Sequence, residues 1–313
     1  LCIDLAPLSR KRERGWGEGK YGEIKPMSEW LQMGVTGLSL GLMYALIAIG
    51  LTLIFGVMRI VQYAHGEMYM LGAFGLYYWH AALGLPYWLG VVVSAVAIFI
   101  LGMLLQATLF RPLAGKNLLY SLAVSLGLVL IFASGGQLLF GTTTKGIPSA
   151  VTGGTLVGGA YISYERLLIC AVSLLLIAAL WLFLRFSRQG LALRAVAEDP
   201  ETAALYGVKT QRMHRLAFGL GSALAAIAGC LMGSMLSIAP NMGFLATIKA
   251  FMIVIMGGLG SIPGALIGAL LLGMIDSVVT TKISGDVALI ACFVVIFLVL
   301  VLRPSGLFGQ HWD

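Results

Sequence analysis

The residue types with the most chemistry in them gather at Gln62, His65, Gly66 and Glu67, where an imidazole and a carboxylate stand two residues apart at the start of an apolar segment. Ionisable groups inside a membrane are costly and usually face a cavity or a partner. The set is therefore a candidate gate or pathway element. The alternative is a hydrated boundary position, with Glu67 favoured by the positive N-terminus of a helix. A spacing of two puts His65 and Glu67 about 200° apart on a regular helix, so they share a face only if Gly66 breaks it. Lys249 and Asp276 read as charges near helix ends, where long stems snorkel to water.

Other chemistries lack their residues. Gly115-Lys116-Asn117 is the nearest fragment to a phosphate-binding loop, and it has neither the upstream glycine nor the Ser/Thr. No GxGxxG follows a strand pattern. His65, His80, His214 and His311 never pair at metal-ligand spacing, and Cys2, Cys170, Cys230 and Cys292 show no CxxC pairing, so neither a metal site nor a disulfide is expected. No nucleophile–base constellation can be assembled. The chain reads as a non-enzyme without a resident cofactor.

The elements that must position these residues are membrane helices. Of 313 residues, 59% are hydrophobic and 11% charged, against roughly 25% charged in an ordinary globular chain. Mean hydropathy is +0.97. So few charges could not cover a water-facing surface, and apolar runs of about 20 residues fit a bilayer. The 41 glycines would weaken helices in water but let membrane helices approach closely. Gly37/Gly41, Gly229/Gly233 and Gly264/Gly268 are each four apart and are expected to seat helices within the chain. The net charge of +7 has no clustered basic face, which excludes nucleic acid.

Apolar stretches fall at 31–57, 66–83, 87–110, 118–140, 167–186, 216–238, 244–256, 265–279 and 287–302. The fold class is all-α, a polytopic membrane helical bundle with eight or nine spans. A short pair flanks the interruption Gly257-Gly258-Leu259-Gly260-Ser261-Ile262-Pro263-Gly264. These glycines and Pro263 form a helix break that should be protein-buried or line a cavity. Under nine crossings, Arg59, Arg111, Lys116, Arg185, Arg188, Arg194, Lys209, Arg212, Arg215 and Arg303 share one side, while Lys145, Arg166, Lys249 and Lys282 lie on the other. The richer side is assigned to the cytoplasm, with the C-terminus inside. Residues 187–214 read as a structured cytoplasmic loop with short helices, and 141–164, with Thr155-Leu156-Val157, as an external loop or hairpin. Residues 1–26, charged and glycine-containing, read as a disordered or non-native leader ahead of a start at Met27, leaving 27–313 as the transmembrane domain.

Three motifs carry a family resemblance: the run from Gly50 to Gly72, Ala197-Glu198-Asp199-Pro200 followed by Ala203-Ala204 and Gly207, and Gly257 to Gly264. Together the chain from Met27 to about Phe308 resembles the LivH-type permease of branched-chain amino acid ABC importers. One departure is Gln62-Tyr63, where the family usually carries asparagine and phenylalanine. The resemblance implies a sister permease in a heterodimer, two cytoplasmic ATPase subunits, an external solute-binding protein and a bacterial-type inner membrane. It also implies that Glu198, Asp199, Ala203, Ala204 and Gly207 form a coupling helix docking on an ATPase. Relatives of this type carry branched-chain and other neutral amino acids, amides and urea. A rival from another class is an ATPase-independent secondary transporter using Glu67 and His65 as an ion relay.

Overall fold

The computed structural model describes residues 26–113 and 115–309. The leader lies outside the described residues apart from Pro26, as does His311. Every apolar stretch named above is a helix. In chain order these are α1 (Pro26–Met58), α2 (His65–Leu76, continued by a π-helical turn Tyr77–Ala82), α3 (Tyr87–Leu105, extended to Leu113 by π and 3₁₀ turns) and α4 (Leu118–Phe140). A hairpin of β1 (Gly154–Val157) and β2 (Ala160–Ser163) precedes α5 (Tyr164–Phe186). Two short helices, α6 (Arg188–Glu198) and α7 (Pro200–Leu205), lead to α8 (Thr210–Met235), α9 (Met242–Gly257), α10 (Ile262–Lys282) and α11 (Gly285–Leu302).

Seven of these helices are long and apolar enough to cross a membrane. The chain is an all-α polytopic bundle. At 16 residues, α9 spans about 24 Å, short of the roughly 30 Å hydrocarbon core, so its ends must be completed by protein.

The bundle has a centre and a rim. The apolar windows of α1 and α8 are 83% and 78% buried, whereas those of α4 and α11 are 17% buried; α1 and α8 are therefore the axis on which the rest assembles. Small residues bring the backbones together. A Cβ on Gly221 would lie 2.5 Å from the Gly50 carbonyl oxygen, and one on Gly72 would lie 2.5 Å from Ala226 Cα, which closes α1 and α2 onto α8. The three glycine pairs four apart all seat helices within the chain. Gly41 meets Gly273 of α10, Gly229 meets Tyr69 of α2, and Gly264 meets Gly257 of α9.

The two ends of the bundle differ. At one, the β1–β2 turn sits on the first turn of α1, where Cβ atoms on Gly158 and Gly159 would touch Leu31 and Ser28, and Lys282 pairs with Glu29. The hairpin is antiparallel with Thr155 opposite Ile162 and Leu156 opposite Tyr161. At the other end lie Arg59, α6, α7, the α9–α10 break and residues 303–309.

Candidate gating and coupling site

The chain leaves α1 through Arg59, a non-glycine residue at φ 53°, and turns at once into α2. Gln62 and His65 are fully buried and Glu67 is 2% exposed. They are thus enclosed by protein, and Glu67 lies in the first turn of α2, where the helix N-terminus favours a carboxylate. His65 Nε2 lies 3.1 Å from the Ile47 carbonyl of α1; a carbonyl only accepts, so Nε2 carries the proton. Glu67 points the other way, its carboxylate against the first turn of α9, where a Cβ on Gly243 would come within 2.7 Å of Oε2. The opposite directions follow from the 200° spacing because α2 is regular from His65 onward. Gly66 does not break the helix. It allows α9 to approach: a Cβ there would collide with the Gly243 carbonyl and with Thr247. The Gly66 amide donates to Thr247 Oγ1 at 3.1 Å, and that hydroxyl donates to the Gly243 carbonyl at 2.9 Å.

Several polar atoms here have no hydrogen-bond partner among the described residues: both amide atoms of Gln62, Nδ1 of His65 and Oε2 of Glu67. Leaving such a group buried and unmade costs about 1–3 kcal/mol each. Gly243 and Thr247 complete the motif, and sequence inspection missed both, since neither stands at a spacing that links it to α2.

At the break, α9 ends at Gly257 and the chain passes through Gly258 and Gly260 at φ 100° and 83°, which glycine tolerates without a Cβ penalty. Ser261 then caps α10, accepting from Gly264 N at 3.2 Å. Pro263 falls in the first turn, where the missing N–H costs nothing. The open carbonyls of α9 are met from the far end of the chain: Leu307 N donates to Met256 O at 2.8 Å and Phe308 N to Gly257 O at 3.0 Å. Gly257, Gly258 and Gly264 are buried, while Gly260 is exposed.

In the loop, Asp199 Oδ1 accepts from Glu201 N and Thr202 N at 2.9 and 3.1 Å, and the Thr202 hydroxyl donates to Oδ2. These bonds, the Thr202 hydroxyl first, hold the Asp199 carboxyl below its ordinary range. The cap is therefore fully formed at neutral pH and is lost only as pH falls through that lowered value. Asp199 thus uses its carboxylate to cap α7 while remaining exposed. The alanines also divide: Ala203 is buried and Ala204 exposed. Gly207 takes φ 83° to turn the chain toward α8. The most prominent groups are Leu205 and Tyr206, 88% and 86% exposed, which were not among the expected docking residues although two large apolar side chains before a glycine turn are a readable signal.

These regions converge. A cavity of about 380 Å3 is lined by Gly56 and Arg59 from the end of α1, Ala197 and Glu198 from α6, Leu259, Gly260 and Ser261 from the break, and Phe308. Arg59 Nη2 donates to the Glu198 carbonyl at 3.4 Å. The end of α1, the loop and the break, far apart in sequence, therefore share one surface at one end of the bundle. Residues 33–302 match the family described as branched-chain amino acid transport system / permease component.

The chain belongs to this permease family. It is 35% identical over 295 residues to the high-affinity branched-chain amino acid transport system permease protein LivH of Escherichia coli (strain K12), covering 90% of this chain and 96% of that one. The corresponding protein BraD of Pseudomonas aeruginosa is 36% identical over the same length and shares. A probable LivH of Methanocaldococcus jannaschii is 27% identical over 283 residues, 85% of this chain and 89% of the relative. A permease component is a membrane subunit and not itself a catalyst.

The permease holds a second polar group inside its helices, and here the expectation of snorkelling helix ends fails. Lys249 Nζ of α9 lies 2.7 Å from Asp276 Oδ2 of α10. Tyr44 of α1 donates its hydroxyl to the same oxygen at 2.7 Å and accepts from Lys249 Nζ at 2.7 Å. The three atoms form a closed triangle joining α1, α9 and α10. Tyr44 and Asp276 are buried, and the Lys249 side chain is only a fifth exposed.

Proposed function

We propose that this permease is the membrane-spanning subunit of an ATP-driven importer for branched-chain or other neutral amino acids delivered by an external binding protein. It pairs with a sister permease, as a heterodimer, and with two ATPase subunits at the end bearing α6 and α7. That end is cytoplasmic and includes the C-terminus, in a bacterial-type inner membrane. The observation that carries this reading is the convergence of the α6–α7 loop, the end of α1 and the helix break on one surface. A push on the loop reaches α1 through Arg59 and α9–α10 through Gly260 and Ser261 without passing through lipid-facing elements. The relatives LivH and BraD, matched over nearly their whole length, are named as branched-chain amino acid permeases, which supports the solute class.

In this scheme Leu205, Tyr206, Ala204 and the Glu198 carboxylate meet the ATPase, Asp199 and Ala203 hold α7 in shape, and Gln62, His65 and Glu67 form the gate. Glu198 and Glu201 suit a basic rim on the partner. The test is coupling. With the complete transporter in proteoliposomes, Gly207→Val, which forces a β-branched residue into a left-handed conformation, abolishes solute-stimulated ATP hydrolysis while the protein still inserts. Unchanged coupling removes the loop from the mechanism. Uptake that persists without any ATPase subunit would replace the reading by secondary transport.

A further inference from the structure

Beside the gate residues runs an apolar groove of about 360 Å3. Its back wall is one face of α9: Phe244, Ile248, Phe251 and Ile255 recur at helical spacing over eleven residues, about 16 Å along the helix axis. The groove is thus roughly half as long as the hydrocarbon core is thick. The opposite face of α9 is packed against α1, α2 and α10. The other walls come from α4 and α11, and the cleft exists because α4 leans on the bundle through α2 and leaves α9 uncovered.

Two lining residues carry a side-chain oxygen, Thr247 and Tyr63. Thr247 is already committed, accepting from Gly66 N and donating within α9. Tyr63 stacks its ring on Phe251 with centroids 4.8 Å apart, and its hydroxyl makes no hydrogen bond among the described residues. The groove also touches the gate directly, because Thr247 anchors the first turn of α2 and Tyr63 is next to Gln62. Its volume lies within the roughly 300–1,000 Å3 of small-molecule sites, which combine apolar walls with a few polar groups.

We propose that this groove carries the aliphatic side chain of the solute during passage, and that the Tyr63 hydroxyl is its specificity-determining polar group. The proposal rests on the importer reading above. A solute lodged against Thr247 and Phe251 bears on the turn that holds Gln62, His65 and Glu67, so occupancy of the groove and opening of the gate are mechanically linked. A lipid chain or a helix of the sister subunit would instead seal the groove in every state.

The experiment uses the complete transporter in proteoliposomes with one binding protein throughout and L-leucine, L-valine and L-threonine as probes. Wild-type uptake is the control; a wild type that imports none of them overturns the importer reading itself. Ile248→Trp fills the groove and lowers leucine uptake at least tenfold in a complex that still assembles with its partner subunits. Wild-type uptake in that variant overturns the groove alone. Valine and threonine are nearly the same shape, so Tyr63→Phe lowers the threonine-to-valine uptake ratio at least threefold; an unchanged ratio, or no threonine uptake by wild type, overturns the role of Tyr63. Should Ile248→Trp fail to assemble, Ile248→Cys decides. Labelling above the wild-type background by a water-soluble methanethiosulfonate, slowed by leucine turnover, supports the proposal. Labelling only by a lipid-phase reagent, or only in the permease without its sister subunit, overturns it in favour of an acyl chain or a subunit contact.

Discussion

Tyr44, Lys249 and Asp276 lie inside the same bundle as Gln62, His65 and Glu67, and both sets involve α1, α9 and a buried carboxylate. In the first set the three side-chain atoms are all 2.7 Å apart and each is satisfied by the others. In the second, four side-chain atoms have no partner among the described residues. Stability alone would pair such groups or replace them with apolar ones, since an unpaired buried polar atom costs more than its burial returns. The difference separates a group that holds helices together from one whose polar atoms have no partner among the described residues, as the proposed gate would require. It also explains the neighbouring glycines. Gly66 and Gly243 let α2 and α9 touch at the unpaired set, so a small relative shift of these helices changes what Glu67 faces.

The comparison breaks most visibly at Asp276. Asp276→Leu leaves the Lys249 charge without its partner and should cost about 3–5 kcal/mol, read as a lower melting temperature of the purified complex. Lys249→Met added to it should recover most of the loss, because the pair as a whole is replaceable by apolar groups; no recovery would mean that Lys249 has a task besides pairing. Gly66→Ala comes next. The new methyl must push the Gly243 carbonyl and Thr247 away, at about 1–3 kcal/mol, and a variant as stable as wild type would show that α2 and α9 are not in close contact there.

The unpaired set should respond in the opposite sense. Glu67→Gln keeps shape but removes charge, so solute uptake should fall at least tenfold, about 1.4 kcal/mol in the rate, with no loss of stability. Normal uptake at normal expression would end the gating role of Glu67. The smallest effect is expected at Gln62→Leu, which removes an amide with no described partner and should stabilise the permease by about 1 kcal/mol while slowing transport. A destabilised variant would reveal a partner for Gln62.

Much of this architecture was legible in the order of residues. The apolar runs fall on helices, the loop at 187–214 folds as two short helices, Thr155-Leu156-Val157 enters a hairpin, and the glycines at 257–264 separate α9 from α10. Each of these is a local property: run length against bilayer thickness, a cap before a helix, glycine where φ is positive. The membrane setting follows from the same arithmetic, while the expected eight or nine spans agree only roughly with seven membrane-length helices and the shorter α9.

What only the tertiary structure decided is which way each helix faces. The central helices α1 and α8 are buried nearly all round, and the rim helices are apolar nearly all round, so hydrophobic periodicity carries little information about rotation. Hence Lys249 could not be matched with Asp276, nor either with Tyr44, more than 200 residues away. Gly66 could be recognised as special but not as the contact for Gly243, and Ala203 and Ala204 were indistinguishable until α7 turned one inward. Sequence determines that these polar groups enter an apolar solvent. Their pairing depends on helix rotation and contact, which in a bilayer are set by backbone approach at small residues and by the polar groups themselves.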